Sequence, residues 1–263
     1  MGTPAAGYGT GMTLSMLTWN CGERPDAWDV AARDGLDVVL LQRAPVSSPP
    51  AGWRLVSWAP SGPWGTALAV RDGVDADPVP LAPLDAAKSG QLGVSLSGSL
   101  AVALLRLPGE EPLHVASAYA TWEDSLDGRW GYPDAAAHRV VSDLSALVGE
   151  NEHRLVAAGD WNVTREGAEP YWQARYDGVF TRLDALGLAL VGPFGPGGAT
   201  IPTYKEQDGS GARQLDFVLA SRSLAGHVRT GVVEDMPWSA DHRAVTIELG
   251  WSPPACSASA SRG

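Results

Sequence analysis

Arg154-Leu155-Val156-Ala157-Ala158-Gly159-Asp160-Trp161-Asn162 is the stretch on which the reading of this chain turns. Residues 154–158 are a short apolar run, the pattern of a buried strand. The run ends in Gly-Asp-Trp-Asn, a turn that sets a carboxylate and a carboxamide on the same side, two residues apart. Chemistry on an α/β scaffold gathers at strand ends, where loops expose side chains that a rigid core positions. Gly-Asp is also a common turn, so this stretch alone defines a strand end and no activity.

Working outward, other apolar runs also finish on polar residues. Thr18-Trp19-Asn20 ends an alternating run over residues 13–19. Leu41-Gln42-Arg43 ends a continuous apolar run over residues 36–42, the signature of a central strand. Ser117-Ala118-Tyr119 ends the second arm of a hairpin, residues 100–107 and 113–120 around Pro-Gly-Glu-Glu-Pro. Leu215-Asp216-Phe217 opens a strand over residues 214–220. Ser239-Ala240-Asp241-His242 precedes one over residues 244–249. An Asp-His dipeptide lets one side chain hold a cation while its neighbour handles a proton.

Further strands are predicted over residues 54–58, 65–71, 188–191 and 228–234. Helices are predicted over residues 25–34, 133–148 and 169–186. The second of these has Pro133 in its first turn and a stripe of Ala137, Val140, Val141, Leu144 and Leu147. Residues 192–198 are Pro-interrupted and lack a phosphate-loop lysine, so they read as a loop. This is an α/β chain with about ten to twelve strands. We expect one domain over residues 13–250, a flexible lead-in over 1–12 and a disordered tail over 251–263.

Composition narrows the partners. The 263 residues hold 31 glycines and 20 prolines, so turns are frequent, and the apolar share of 44% supports a full core. Thirty acidic against 19 basic residues give a charge of −11, and Lys88 and Lys205 are the only lysines. Such a chain is a poor match for long duplex DNA, whose binders carry a basic face. No run reaches the length of a membrane helix. Cys21 and Cys256 are too few for a disulfide framework, and no secretory signal is visible, so a cytoplasmic monomer with reduced thiols is expected.

Taken in order, Trp-Asn at 19–20, Val-Val-Leu-Leu-Gln at 38–42, Gly-Asp-Trp-Asn at 159–162, Gln-Leu-Asp-Phe-Val-Leu at 214–219 and Ser-Ala-Asp-His-Arg-Ala-Val at 239–245 resemble the endonuclease/exonuclease/phosphatase superfamily. The resemblance spans residues 14–249. It implies a DNase-I-like fold: a four-layer sandwich of two packed, mostly antiparallel mixed β-sheets with helices outside. It also implies a hydrolase of phosphoester bonds that uses Mg2+ (or Mn2+). By this resemblance Asn20 and Asp241 are the metal residues. Asp160 positions the attacking water, Asn162 and Tyr119 donate to phosphate oxygens, and Asp216 orients the catalytic His242.

One position departs. Where the superfamily has Leu-Gln-Glu, with the glutamate as its main metal ligand, this chain has Leu41-Gln42-Arg43. The change is two charge units, and a unit pair at ~4 Å interacts by about 4 kcal/mol at an effective dielectric of ~20. Three resolutions are open. Glu23, Asp26, Glu123 or Asp124 replaces the ligand; the Arg43 guanidinium itself takes an anionic group; or hydrolysis is lost. Arg43 is therefore read as a substrate-binding residue.

Eleven tryptophans are the second oddity. Trp19 and Trp161 flank motif residues on strands and are expected in the core. Trp122, Trp130 and Tyr132 lie in a loop without helical or strand period, where they form a wall for a base or another flat substrate. His114, His138, His153 and His227 lack ligand spacing and are read as structural.

The leading expectation is a metal-assisted phosphoesterase acting on a small or single-stranded phosphodiester or phosphomonoester. The alternative is a metal-independent acid–base enzyme on the same fold, acting on an anionic aromatic small molecule by cyclisation or elimination. A non-catalytic binding protein ranks third.

Overall fold

The computed structural model describes residues 12–124, 128, 131–149, 153–206, 208, 211–236 and 238–251. The expected lead-in and tail, and with them Cys256, lie almost wholly outside the described residues.

Two six-stranded sheets pack face to face. The chain enters the first sheet with β1 (Thr13–Asn20), β2 (Val38–Pro45), β3 (Trp53–Ser61) and β4 (Trp64–Arg71). It then builds the second with β5 (Ala76–Pro78), β6 (Leu100–Leu105), β7 (Leu113–Tyr119), β8 (Leu155–Asp160), β9 (Leu188–Gly192) and β10 (Asp216–Ser221). It returns to the first with β11 (Val228–Val232) and β12 (Val245–Gly250). Strand orders are β11-β12-β1-β2-β4-β3 and β9-β10-β8-β7-β6-β5. Each sheet has one parallel pair at its centre, β1 with β2 and β7 with β8, and the other pairings within the two sheets are antiparallel.

The central strands are buried on both faces, which is why they read as nearly continuous apolar runs. Met16, Val38, Leu40, Val156 and Ala158 fill the space between the sheets. On the far side of the second sheet, Leu155 and Ala157 pack under α2 (Pro133–Leu144) and α3 (Pro170–Ala185). On the far side of the first, Val39 and Leu41 pack under Trp28 and Ala31 of α1 (Ala27–Ala31). Helix, sheet, sheet, helix make the four layers expected. Each buried Leu or Val in them contributes about 1.5–3 kcal/mol. Trp19 and Trp161 are core residues, as read from the sequence.

The differences from expectation are local. The helix expected over residues 25–34 shrinks to Ala27–Ala31. Its apolar stripe covers only one turn's width of sheet, and the chain must turn at Gly35, with φ of 84°, to enter β2. Helix α2 ends at Leu144 and a 3-10 turn carries Ser145–Leu147. Edge strand β5 went unread because three residues show no period. The loop after Tyr119 contains a short ribbon, Glu123 and Asp124 paired with Gly131 and Tyr132, too brief to leave a pattern.

Candidate active site

Both parallel pairs point the ends of their strands at one edge of the sandwich. Register places Asp160 of β8 across from Tyr119 of β7 and from Asp216, the first residue of the antiparallel β10. In the first sheet Asn20 lies across from Gln42. Gln42, fully buried, ties the sheets together just beneath this edge: its amide donates to Thr18 Oγ1 at 3.1 Å and to Ser117 Oγ at 2.8 Å. The edge opens into a cleft of about 370 Å³. Asn20, Arg43, Tyr119, Trp122, Asp160, Asn162, Asp241 and His242 all line it. The strand ends thus bring these residues to one cleft.

The deepest part is a relay of two carboxylates and an imidazole. His242 Nδ1 is 2.9 Å from Asp216 Oδ2, and its Nε2 is 3.6 Å from Asp160 Oδ2. A carboxylate only accepts, so Nδ1 carries a hydrogen and Nε2 faces Asp160. Burial works against charge on the imidazole, but Asp216 and Asp160 raise its pKa to about 9. Burial pushes Asp160 up to about 7 against the pull of His242, with Asp216 adding to the rise. Thr203 Oγ1 accepts from the backbone N–H of Asp216 at 3.0 Å and fixes the start of β10.

Asp160 is anchored on its other side by amides. Asn20 Nδ2 donates to Oδ2 at 2.8 Å, the Asn162 backbone N–H to Oδ1 at 2.9 Å, and Asn162 Nδ2 to Oδ2 at 3.1 Å. The carboxamide of Asn162 is fixed in orientation. Trp122 Nε1, which can only donate, gives its hydrogen to Asn162 Oδ1 at 2.9 Å, and Asn162 Nδ2 donates to the Ala120 carbonyl at 2.9 Å. Both amide hydrogens of Asn162 thus face protein acceptors, and donation to a phosphate oxygen requires one of them to be released. Gly159 is obligatory here: with φ of 151° its Cα abuts the Ala118 carbonyl oxygen, and a Cβ would collide with it. Burial, with Asp160 close by, pushes the Tyr119 phenol up to about 12, so it stays a neutral donor.

Among the described residues three non-glycine residues have positive φ: Glu23, Arg43 and Asn162. Arg43 and Asn162 line the cleft, and Glu23 is the partner of Arg43. Left-handed backbone at non-glycine residues costs of order 1–3 kcal/mol each and gathers where function holds it in place.

Solved structures with this architecture are numerous. The catalytic domain of APE2 from Xenopus laevis aligns with a TM-score of 0.65 at 12% identity, over 92% of this chain and 95% of that one. The endonuclease domain of TRAS1, a telomere-specific non-LTR retrotransposon, gives 0.64 at 18% identity, over 90% of this chain and 98% of that one. The endonuclease/exonuclease/phosphatase protein of Beutenbergia cavernae gives 0.56 at 17%, over 92% and 73%. The fold is DNase-I-like. No protein-family model matches the chain, and no curated protein sequence does.

In this DNase-I-like cleft Arg43 sits on a β-bulge between Leu41 and Ala44. It faces the cleft with a third of its side chain exposed, and Nη2 pairs with Glu23 Oε1 at 2.7 Å. None of the four carboxylates considered as substitutes lines the cleft. Glu23 is held by Arg43, Asp26 by Arg24 at 2.6 Å and Glu123 by Arg139 at 2.9 Å, while Asp124 is exposed. The carboxylates lining the cleft are Asp160, Glu206 and Asp241.

Asp160, Asp216 and His242 each bring a ligand atom within 4.8 Å of the others, a grouping able to hold a cation. Two further carboxylate oxygens, Asp216 Oδ1 and Asp241 Oδ1, are buried without a hydrogen-bond partner. Unsatisfied hard oxygen donors of this kind fit a divalent cation.

The aromatic residues separate. Trp122 lines the cleft and is 58% exposed. Tyr132 packs away from it, its ring 6.0 Å from that of Trp172. Trp130 lies outside the described residues. Sequence reasoning missed Tyr204, Glu206 and Arg213, which complete the cleft wall. Glu206 accepts from Tyr204 Oη at 2.9 Å and pairs with Arg213 at 2.9 Å. They flank a two-residue ribbon whose pairing, Tyr204 with Arg213, leaves no sequence signal. His114, His153 and His227 line a separate hollow that shares no residue with the cleft.

Proposed function

We propose that this protein is a metal-assisted phosphoesterase acting on a phosphodiester or phosphomonoester of a small or single-stranded substrate. The observation that carries this reading is the Asp216–His242–Asp160 relay, buried at the base of an open cleft that also presents Arg43 and the neutral Tyr119 phenol. The phosphate enters with its oxygens toward Arg43, Tyr119 and His242. Ionised Asp160 accepts a proton from a water lying in line with the leaving oxygen; as the water oxygen bonds to phosphorus the P–O bond to the leaving group breaks, and the leaving oxygen takes its proton from solvent in the open cleft. Protonated His242, held by Asp216, donates to the phosphate oxygens as negative charge grows on them. Asp241 and Asn20 are the residues to hold Mg2+ (or Mn2+), which when bound draws charge from a phosphate oxygen. No helix among the described residues is long and apolar enough to cross a membrane, and a cytoplasmic monomer completes the proposal.

A second reading has one observation in its favour: Arg43, a fixed cation, lines the cleft where the resemblance expects the metal's glutamate. On that reading the guanidinium binds the anionic group of an aromatic small molecule and no metal is needed. One experiment separates the two. Hydrolysis of bis(p-nitrophenyl) phosphate and of a fluorescent single-stranded oligonucleotide is measured with Mg2+, with Mn2+ and with chelator, in wild type, His242→Ala and Arg43→Glu. Metal-dependent turnover that dies in His242→Ala supports the first reading. Silence in the wild type with turnover in Arg43→Glu supports the second.

A further inference from the structure

Beside the cleft lies a hollow of about 530 Å³. Trp122, Thr164, Tyr176 and Arg213 line both spaces, so the two adjoin. One wall is the aromatic face of α3. Trp172 and Tyr176 lie nearly parallel, with ring centroids 6.2 Å apart and planes at 29°. Trp172 also meets Tyr171 edge to face at 5.3 Å and Tyr132 at 6.0 Å, and the Arg175 guanidinium lies 5.7 Å from its ring centroid. The guanidinium of Arg175 sits 5.2 Å from the Tyr132 ring and is tied to Asp134 at 2.7 Å. These rings have little freedom left to lose.

Trp122 forms the side of the hollow nearest the relay. A core tryptophan hides its ring, but this one is more than half exposed while its Nε1 is bonded to Asn162. Gly131 packs so closely on the indole that a Cβ there would collide with it. The ring is therefore held from two sides with one face left open. Two hydrogen bonds, Trp122 to Asn162 and Asn162 to Asp160, connect that face to the catalytic carboxylate.

We propose that this hollow is a nucleobase subsite, in which the base next to the phosphate under attack stacks on the aromatic surface made by Trp122, Trp172 and Tyr176. The assignment of the neighbouring phosphate rests on the phosphoesterase reading; the base site rests on the hollow itself. Every base has a π face, and aromatic platforms bind bases with little regard to sequence. A platform already rigid avoids the ordering cost of binding. Arg213, held by Glu206 at the boundary of the two spaces, is the cation a sugar-phosphate passes on its way from base to relay. A base lying in a side hollow is out of its duplex, which agrees with the acidic, lysine-poor chain.

The test is calorimetric binding of thymidine 5′-monophosphate and of 2-deoxyribose 5-phosphate, which has the same sugar and phosphate but no base, to the full chain in buffer with chelator, where metal-assisted hydrolysis is stopped. The ratio of the two affinities is the readout. The wild type should prefer the nucleotide by about tenfold or more, the scale of one stacked base. Trp172→Ala and Trp122→Ala should each bring the ratio toward one, and Trp172→Phe should restore it. Equal affinities in the wild type, no nucleotide binding, or a preference that survives both alanine variants overturns the subsite. Loss of hydrolysis with the preference intact sinks the phosphoesterase reading and leaves the base site standing.

Discussion

The two parallel strand pairs meet at one cleft and present opposite characters. The β7/β8 end is buried and acidic. Asp160 there is 1% exposed, receives three amide hydrogen bonds and faces His242. The β1/β2 end is bulged, strained and cationic, with Arg43 and Glu23 both in left-handed backbone and paired with each other. The two ends are not independent: Asn20 of β1 donates to Asp160 of β8, and His242, which meets both Asp160 and Asp216, lies just before β12 of the first sheet. A buried acidic cluster and a bulged cationic segment are thus assembled at one edge from both sheets.

Breaking the acidic half should have the largest effect. His242→Ala and Asp160→Asn should each lower kcat by about 10³-fold, within the range for a lost proton-transfer group. A rate within tenfold of wild type, in variants that keep their circular dichroism, would move the chemistry elsewhere. Gly159→Ala attacks the backbone of the same half. Its Cβ collides with the Ala118 carbonyl at a position of positive φ, and the loss of stability should be about 3 kcal/mol. A urea midpoint unchanged from wild type would contradict that.

The cationic half should respond more mildly and in the other direction. Arg43→Glu should lower the Mg2+ concentration for half-maximal rate by about tenfold, since it replaces repulsion by a carboxylate. Wild-type turnover that survives chelator and is lost in Arg43→Glu would instead favour the guanidinium in the metal's place.

The pH profile sharpens the comparison most gently. Asp160 must be ionised to accept a proton, so the rate should rise as pH passes about 7. His242 must be protonated to donate, so the rate should fall as pH passes about 9. Each limb changes the rate about tenfold per pH unit. Asp160→Asn should flatten the acid limb of whatever rate remains, and Arg43→Ala should leave both limbs in place.

Legibility followed range. Strands β2 and β8 could be read because burial on both faces writes an unbroken apolar run into the sequence. Asp160, Asp216 and His242 could be found because each sits directly at the end or start of such a run. Helix α1 was overestimated because apolar spacing over residues 25–34 says nothing about where the chain must turn into the sheet. Tyr132, read from the sequence as part of a substrate wall, lines neither the cleft nor the hollow beside it and meets Trp172, a contact between α3 and the start of α2 that no local pattern records. Glu206 and Arg213 were missed for the same reason, since they meet across a two-residue ribbon.

The strand-rich α/β character, the strand ends that carry Asp160, Asp216 and His242, and the arginine at position 43 could all be read from the amino-acid sequence, because alternation, apolar runs and residue identity are local properties. Only the tertiary structure decided that Arg43 faces the cleft, that Glu206 and Arg213 join its wall and that Trp122, Trp172 and Tyr176 border one hollow. Those facts depend on a bulge, on two-residue pairings and on one helix packing beside a distant loop, and each is set by contacts between residues far apart in the chain.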